Sequence, residues 1–325
     1  MKTLIDFDSA PVFAIPLIDP VGQVTMHHGM LIEGPQGWGE FSPQRDDDDR
    51  VLARWLTAAT EAGTVGFPDP VRGRVQVAVT VPAVNAARAH EIASATPCRT
   101  AAVEVGADGD TLADDIARLE AVRAALGPGS ALRCDARGRW DVESAATAIA
   151  ALDRAANGLE FVEQPCRTLA ELAAVRRRVD VRIAADAAIR EAEVPAGVTL
   201  GEAADIAILR SGPMGGARRA LRTAEVSGLP CLVTSALETS VGLTTGLALA
   251  GALPELPYAC ELGARSLLAA DLVGPSRSLV TADGFLPVAP MPPAPQQDLL
   301  GRYAVTEPER VAWWRERLRA AIAAA

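Results

Sequence analysis

Apolar and polar positions change rhythm near Val75. Before that point, Phe13–Leu17 reads as a strand, and Thr25–Glu33 and Gly37–Phe41 alternate around the turn Gly34-Pro35-Gln36, which predicts a hairpin. Val51–Gly63 carries apolar residues at helical spacing, and the acidic run Asp46–Asp49 lies just before it. Such a run suits the positive end of a helix dipole as a solvated first turn; a cation-binding loop is the competing reading. From Val75 onward short apolar runs alternate with amphipathic stretches. Strands are predicted at Val75–Val81, Ala101–Val105, Ala131–Asp135, Leu159–Glu163, Val181–Asp186, Ile206–Arg210, Cys231–Ser235 and Tyr258–Leu262. Between most of them lie helical stretches, Leu112–Leu126, Val142–Ala155, Leu169–Val179, Ala217–Val226 and Val241–Leu253. Eight strands with interleaved helices over about 190 residues fit a (β/α) barrel better than an open doubly wound sheet. No G-x-G-x-x-G follows an early strand, which weakens a dinucleotide-binding alternative.

After Leu262 the regularity fades, and Met291-Pro292-Pro293-Ala294-Pro295 reads as a stiff linker. A last helix is predicted with Thr306 as N-cap, Pro308 in the first turn and Glu309 completing a capping box. Its stripe of Trp313, Trp314, Leu318 and Ile322 must dock, on the barrel or on the N-terminal part.

Composition narrows the class. With 325 residues and 49% hydrophobic content, the chain can bury a large core, as one big domain with a smaller one appended. No apolar run reaches the ~20 residues that span a bilayer. Met1–Asp8 holds acids where a signal peptide needs a long apolar stretch, so a cytoplasmic protein without a membrane partner is expected. Lysine and arginine total 31 against 41 acids, and the net charge of -10 repels phosphate backbones and argues against nucleic acid. Cys98, Cys134, Cys166, Cys231 and Cys260 are scattered without a C-x-x-C pair and read as free thiols of a reducing compartment. Lys2 is the one lysine, beside many arginines.

Residues at the carboxyl ends of barrel strands point into a shared mouth. Asp135, Glu163 and Asp186 each close a predicted strand. Any one alone reads as a surface acid or helix cap. Three from consecutive strands repel one another unless a cation neutralises them, and an all-oxygen set suits a hard ion, most simply Mg²⁺.

The segments Cys134-Asp135-Ala136-Arg137-Gly138-Arg139-Trp140, Phe161-Val162-Glu163-Gln164-Pro165-Cys166, Ile183-Ala184-Ala185-Asp186 and Ser235–Leu243 resemble the enolase superfamily. Within it they are similar to the o-succinylbenzoate synthases of menaquinone biosynthesis, especially the actinobacterial type. Gly37–Pro43 and Leu256–Cys260 extend the resemblance over roughly residues 10–290. It implies a modified (β/α)₇β barrel under an N-terminal α+β capping domain. The expected division is a capping domain at 1–75, a barrel at 76–265 and a C-terminal segment at 266–325 that packs back on both. It also implies Mg²⁺ on Asp135, Glu163 and Asp186, a Lys-x-Lys pair on the second strand and a lysine on the sixth. One lysine removes a proton beside the substrate carboxylate, and the sixth-strand lysine stabilises the enediolate.

This chain departs from that pattern in the mouth itself. The Lys-x-Lys positions hold Ala102 and Glu104, and the sixth-strand position holds Arg210. Arginine clamps an anion but does not release its proton at neutral pH. The family's Asn two residues beyond the first ligand is Arg137, its acid after the third is Ala187, and its Arg-rich N-terminal loop reads Ile18–Gln23. Glu104 and Arg210 are the candidate catalytic groups, and Arg137, Ser235 and Ala102 the candidate substrate contacts. Glu104 is alternatively a structural partner for Arg210 or Arg137, and Arg137 is alternatively a substitute for the cation. His27 and His28 are assigned to the surface or the capping domain. A repurposed metal-dependent lyase or cyclase acting on a small carboxylate is expected. A non-catalytic binding or scaffold descendant and a genuine o-succinylbenzoate synthase are the alternatives, and a homo-oligomer stays open.

Overall fold

A computed structural model describes residues 5–21, 23–191, 199–288 and 291–325; Lys2 lies outside them. The first three strands, β1 (Val12–Val21), β2 (Val24–Gly34) and β3 (Gly37–Phe41), form an antiparallel sheet in the order β1-β2-β3. Gly34 faces Gly37 across the hairpin, where Pro35 and Gln36 were expected to turn. A helix at Asp49–Thr64 lies on this sheet at close backbone approach. A Cβ on Gly39 would stand 2.0 Å from the Ala59 carbonyl oxygen, and one on Gly34 2.2 Å from that of Gly63. Within the acidic run, Asp48 caps the helix by accepting from the Val51 amide at 2.9 Å, and Asp47 accepts from the Gln44 amide at 2.8 Å. These are the hydrogen bonds of an N-terminal turn.

After a short strand β4 (Arg74–Gln76) come the barrel strands β5 (Val79–Val81), β6 (Thr100–Glu104), β7 (Ala131–Asp135), β8 (Phe161–Glu163), β9 (Ile183–Ala185), β10 (Ile206–Leu209) and β11 (Cys231–Val233). From β5 to β11 they make a seven-stranded sheet in sequence order, with every pairing parallel. The expected eighth strand is a short hydrogen-bonded segment. Cys260 donates to the Gln76 carbonyl and accepts from the Ala78 amide, while Glu261 donates to the Val233 carbonyl. That ladder closes the ring between the first and last strands. Arg74–Gln76 turns away to pair with β12 (Phe285–Pro287), a strand without a clear period in the sequence.

Helices at Leu112–Leu126 and Val142–Ala155 occupy the predicted ranges. Thr111 and Asp141 cap them, accepting from the amides of Asp114 and Ser144. The helix Ala86–Ser94 lay outside the predicted set. Outward residues of the strands pack under the helices, among them Val103, Leu132, Cys134, Val162 and Ile183. All five cysteines are buried free thiols. No described helix is long and apolar enough to cross a membrane.

The final helix differs from expectation at its start and in its stripe. It spans Pro308–Ala324 with Glu307, not Thr306, as N-cap, and no side chain caps it. Pro308 sets the boundary because its fixed φ suits the first helical position and its missing N–H needs no partner. Trp314, Leu318 and Ala321 are buried in one cluster with Leu52, Trp55 and Phe41, so the helix docks on the N-terminal unit. Trp313 and Ile322 remain exposed, and the Arg317 guanidinium covers the Trp313 ring at 4.7 Å. At the close approach noted above, Gly39→Ala is expected to lower stability by about 1–3 kcal/mol through overpacking. Thermal unfolding of that variant beside Gly201→Ala, whose added methyl meets nothing within 4 Å, checks this.

Candidate active site

Two-residue alternation decides which strand residues enter the barrel. On β6, Ala101 and Val103 join the outer layer, while Ala102 and Glu104 are buried on the opposite face. Register then sets Glu104 beside Asp135 and Asp135 beside Glu163. Deeper inside, Phe161, Ala184, Ile206, Ile208 and Leu232 form a plug with Tyr258 packed against it. Arg133 stacks on this plug, 4.5 Å from the Phe161 ring centroid. It donates to Glu160 Oε2 at 2.6 Å, the Ala259 carbonyl at 2.8 Å and Glu261 Oε1 at 3.2 Å.

The carboxylates at the strand ends meet guanidinium groups. Arg210 Nη2 donates to Asp186 Oδ2 at 2.8 Å and lies 3.9 Å from Glu163 Oε1, while its Nη1 donates to the Ser235 carbonyl at 2.9 Å. Arg137 places Nη2 3.1 Å from Glu104 Oε2 and Nε 3.5 Å from Asp135 Oδ2. Arg139 takes the other oxygen of Glu104, with Nη2 2.8 Å from Oε1, and its Nη1 donates to the Val105 carbonyl. Arg137 has φ 51°, a left-handed backbone that non-glycine residues adopt uncommonly. Its amide donates to Asp135 Oδ1 at 2.9 Å, which anchors the turn. Gln164 links two strand ends, accepting through Oε1 from the amides of Asp186 and Ala188.

Electrostatics follow from this crowding. Burial pushes the Asp135 carboxyl up to about 6 against the pull of Arg137, with Glu261 and Asp186 adding to the rise. Burial also lifts Glu163 well above the usual carboxylate range, reinforced by Asp135, Glu261 and Asp186 and opposed by Arg210. Burial works against the charge on Arg210, yet Asp186, Glu163 and Asp135 together hold its proton more tightly than usual. Glu163 Oε2 and Arg210 Nε are buried without a hydrogen-bond partner.

The structure therefore gathers these groups into two neighbouring ion-pair sets, Glu104 and Asp135 with Arg137, and Asp186 and Glu163 with Arg210, set side by side by the strand register. Ser235 enters through its carbonyl, and Ala102 lies two residues below Glu104 with no polar group to offer. Arg139 was missed, although an inward acid at Glu104 calls for a nearby cation and the same short loop supplies one. As to Mg²⁺, the oxygen donors have the right chemistry, and the partnerless Glu163 Oε2 would accept a cation. Their arrangement does not fit: among the described residues no three His, Cys, Asp or Glu side chains are placed to hold an ion. Guanidinium nitrogens sit instead on Asp135 and Asp186.

A second buried cluster, also unforeseen, joins the N-terminal sheet to the barrel. Glu40 accepts from His27 Nε2 and Ser42 Oγ at 2.9 Å each, and across the interface from Thr239 Oγ1 at 2.5 Å and the Thr239 amide at 3.1 Å. His27 is thus a buried structural residue, as is fitting for the N-terminal unit, and burial lowers the half-buried His28. Beside Glu40, burial and that second carboxylate push Glu238 up to about 8, with its Oε2 accepting from the Ala236 amide at 2.8 Å.

Comparisons with known proteins match this architecture. The family described as enolase N-terminal domain-like matches residues 12–63, and that described as enolase C-terminal domain-like matches residues 84–293. The chain is 50% identical over 312 residues to a Thermobifida fusca protein named o-succinylbenzoate synthase, covering 96% of this chain and 95% of that one. A Mycobacterium leprae protein of the same name is 43% identical over 314 residues, covering 96% and 91%. Among solved structures, muconate lactonizing enzyme from Pseudomonas fluorescens, complexed with muconolactone, superposes with a TM-score of 0.74 at 20% identity, covering 94% of this chain and all of that one (100%). The Bacillus subtilis L-Ala-D/L-Glu epimerase gives 0.71 at 23% identity, covering 90% and 98%. The chain belongs to the enolase superfamily and is o-succinylbenzoate-synthase-like within it. Members of that superfamily typically use Mg²⁺ and bind small carboxylates.

Glu238 generates a pH prediction. An acid with a raised folded value keeps its proton while the unfolded chain ionises, so stability is fullest below the ordinary glutamate range. It is lost as pH rises towards 8, by up to about 1.4 kcal/mol per unit, and stays lost above that. Glu238→Gln is expected to flatten that part of the stability curve, measured by denaturant unfolding from pH 5 to 9 beside the parent protein.

Proposed function

We propose that this chain binds a small carboxylate at its barrel mouth and does not carry out the lysine-dependent proton abstraction that the resemblance implies. One observation carries the reading. Glu104 stands where a base would stand, with an arginine on each of its oxygens. Its two oxygens are turned to guanidinium groups, one by a hydrogen bond from Arg139 and one by an ion pair with Arg137, and not to an open substrate position. Arg210 cannot serve as a base either, since a guanidinium keeps its proton throughout the physiological range.

The residues present are suited to holding an anion. Arg210 lies deep in the mouth with Nε unsatisfied, so a ligand oxygen there would complete its hydrogen bonding. Arg137 is 43% exposed at the rim and can turn towards an entering carboxylate without leaving solvent contact. No step in this reading runs through a metal. The division into a capping domain at 1–75, a barrel at 76–265 and a returning segment at 266–325 accompanies it.

A second reading is a lyase or cyclase reaction that needs little basicity, with Arg210 polarising the ligand. The buried, partnerless Arg210 Nε favours it. Assay of the purified protein with the cyclohexadiene carboxylate substrate separates the readings. The expected result is no dehydration above the uncatalysed rate, with o-succinylbenzoate bound in calorimetry and held at least ~10-fold more weakly by Arg210→Gln. Turnover in the ordinary enzymic range of about 1–1000 s⁻¹ would overturn the proposal. Joint replacement by Ala102→Lys, Glu104→Lys and Arg210→Lys is expected to raise the dehydration rate by about 100-fold or more.

A further inference from the structure

Three guanidinium groups meet four inward carboxylates at the strand ends. A divalent ion shared by Asp135, Glu163 and Asp186 would need an oxygen from each at about 2.0–2.1 Å from one centre. The space between these acids is already used. Arg210 Nη2 reaches Asp186 Oδ2 at 2.8 Å and comes within 3.9 Å of Glu163 Oε1. On the other side, Arg137 bridges Asp135 and Glu104, and Arg139 holds Glu104 from its second oxygen. The bridge runs through a residue held in the left-handed backbone region at φ 51°. Arg210 is fixed from behind by the Ser235 carbonyl.

We propose that Arg210 and Arg137 stand in for the divalent cation, so that the carboxylate triad is held together by fixed guanidinium charge and the folded protein needs no metal. The forked, permanently charged guanidinium is well suited to this task, because it offers several directed N–H donors where a metal offers open coordination positions. Arg137 is one of the substitutions in the mouth, and Glu104 supplies it with a second carboxylate partner. The inference stands on the ion pairs rather than on the absence of turnover. Its test reads metal binding, so it and the functional reading can fail separately.

The probe is Mn²⁺, followed by the loss of its free paramagnetic signal, together with the thermal midpoint in MgCl₂ against EDTA. The full chain is expected to bind no Mn²⁺ below about 1 mM and to shift its midpoint by less than about 1 °C in ~10 mM Mg²⁺. The Arg137→Asn/Arg210→Gln variant is expected to take up one Mn²⁺ and to gain about 3 °C or more in the same Mg²⁺. Should that variant fail to fold, the Mn²⁺ titration of the full chain beside Asp186→Asn still tests the proposal. A parent protein that binds one Mn²⁺ and loses it in Asp186→Asn would overturn the proposal. So would a folded arginine variant that acquires no site, because the guanidinium groups would then not be what takes the cation's place.

Discussion

Carboxylates crowded into the low-dielectric end of a barrel cannot all keep their charge unless positive charge lies among them. The parallel register leaves little choice about the crowding. Once Glu104, Asp135 and Glu163 end neighbouring strands, their side chains emerge side by side. Everything above the interior plug answers to that constraint. The left-handed turn at Arg137, the pairing of Arg139 with Glu104 and the inward reach of Arg210 each bring a guanidinium to an oxygen. A similar arrangement recurs lower down, where Arg133 lies between Glu160 and Glu261 and stacks on Phe161.

The mouth also depends on how the N-terminal unit is seated. Glu40 leaves β3 and is received by the start of the helix Ser240–Ala252, where an amide and a hydroxyl of Thr239 donate to it. Gly39, one residue earlier, lets that sheet lie directly on its helix, so the acid is presented at a fixed depth. The adjacent loop includes Ser235, whose carbonyl orients Arg210. Packing at the domain interface and charge at the mouth are therefore joined through one loop.

Identity with the Thermobifida fusca protein, 50% over 312 residues, extends along nearly the whole chain, whereas the charged groups of the mouth gather at a few strand ends. These two facts belong to different levels of the structure. The outer core of valines, leucines and alanines maintains the barrel whatever the mouth contains. The character of the mouth rests on a few inward positions, where carboxylates and guanidinium groups are paired.

The alternation of short apolar runs with amphipathic stretches pointed to a barrel, because strands buried on both faces are short and apolar throughout while the helices show one apolar stripe. The hairpin, the helix on it and the triad of acids were legible for the same local reason. The start of the last helix was misassigned to Thr306, since Pro308 rather than a capping side chain decides it. Ala86–Ser94 and Phe285–Pro287 left too short or too weak a pattern to be seen. What no local pattern could decide was the pairing of charges. Arg139 with Glu104, Arg210 with Asp186 and Glu40 with Thr239 are contacts across different elements, separated by 35, 24 and 199 residues. The sequence placed acids and arginines at strand ends and in loops. Only the closed ring, with its register and its seated N-terminal sheet, determined which of them would touch, because Coulomb attraction acts on distance in space and not along the chain.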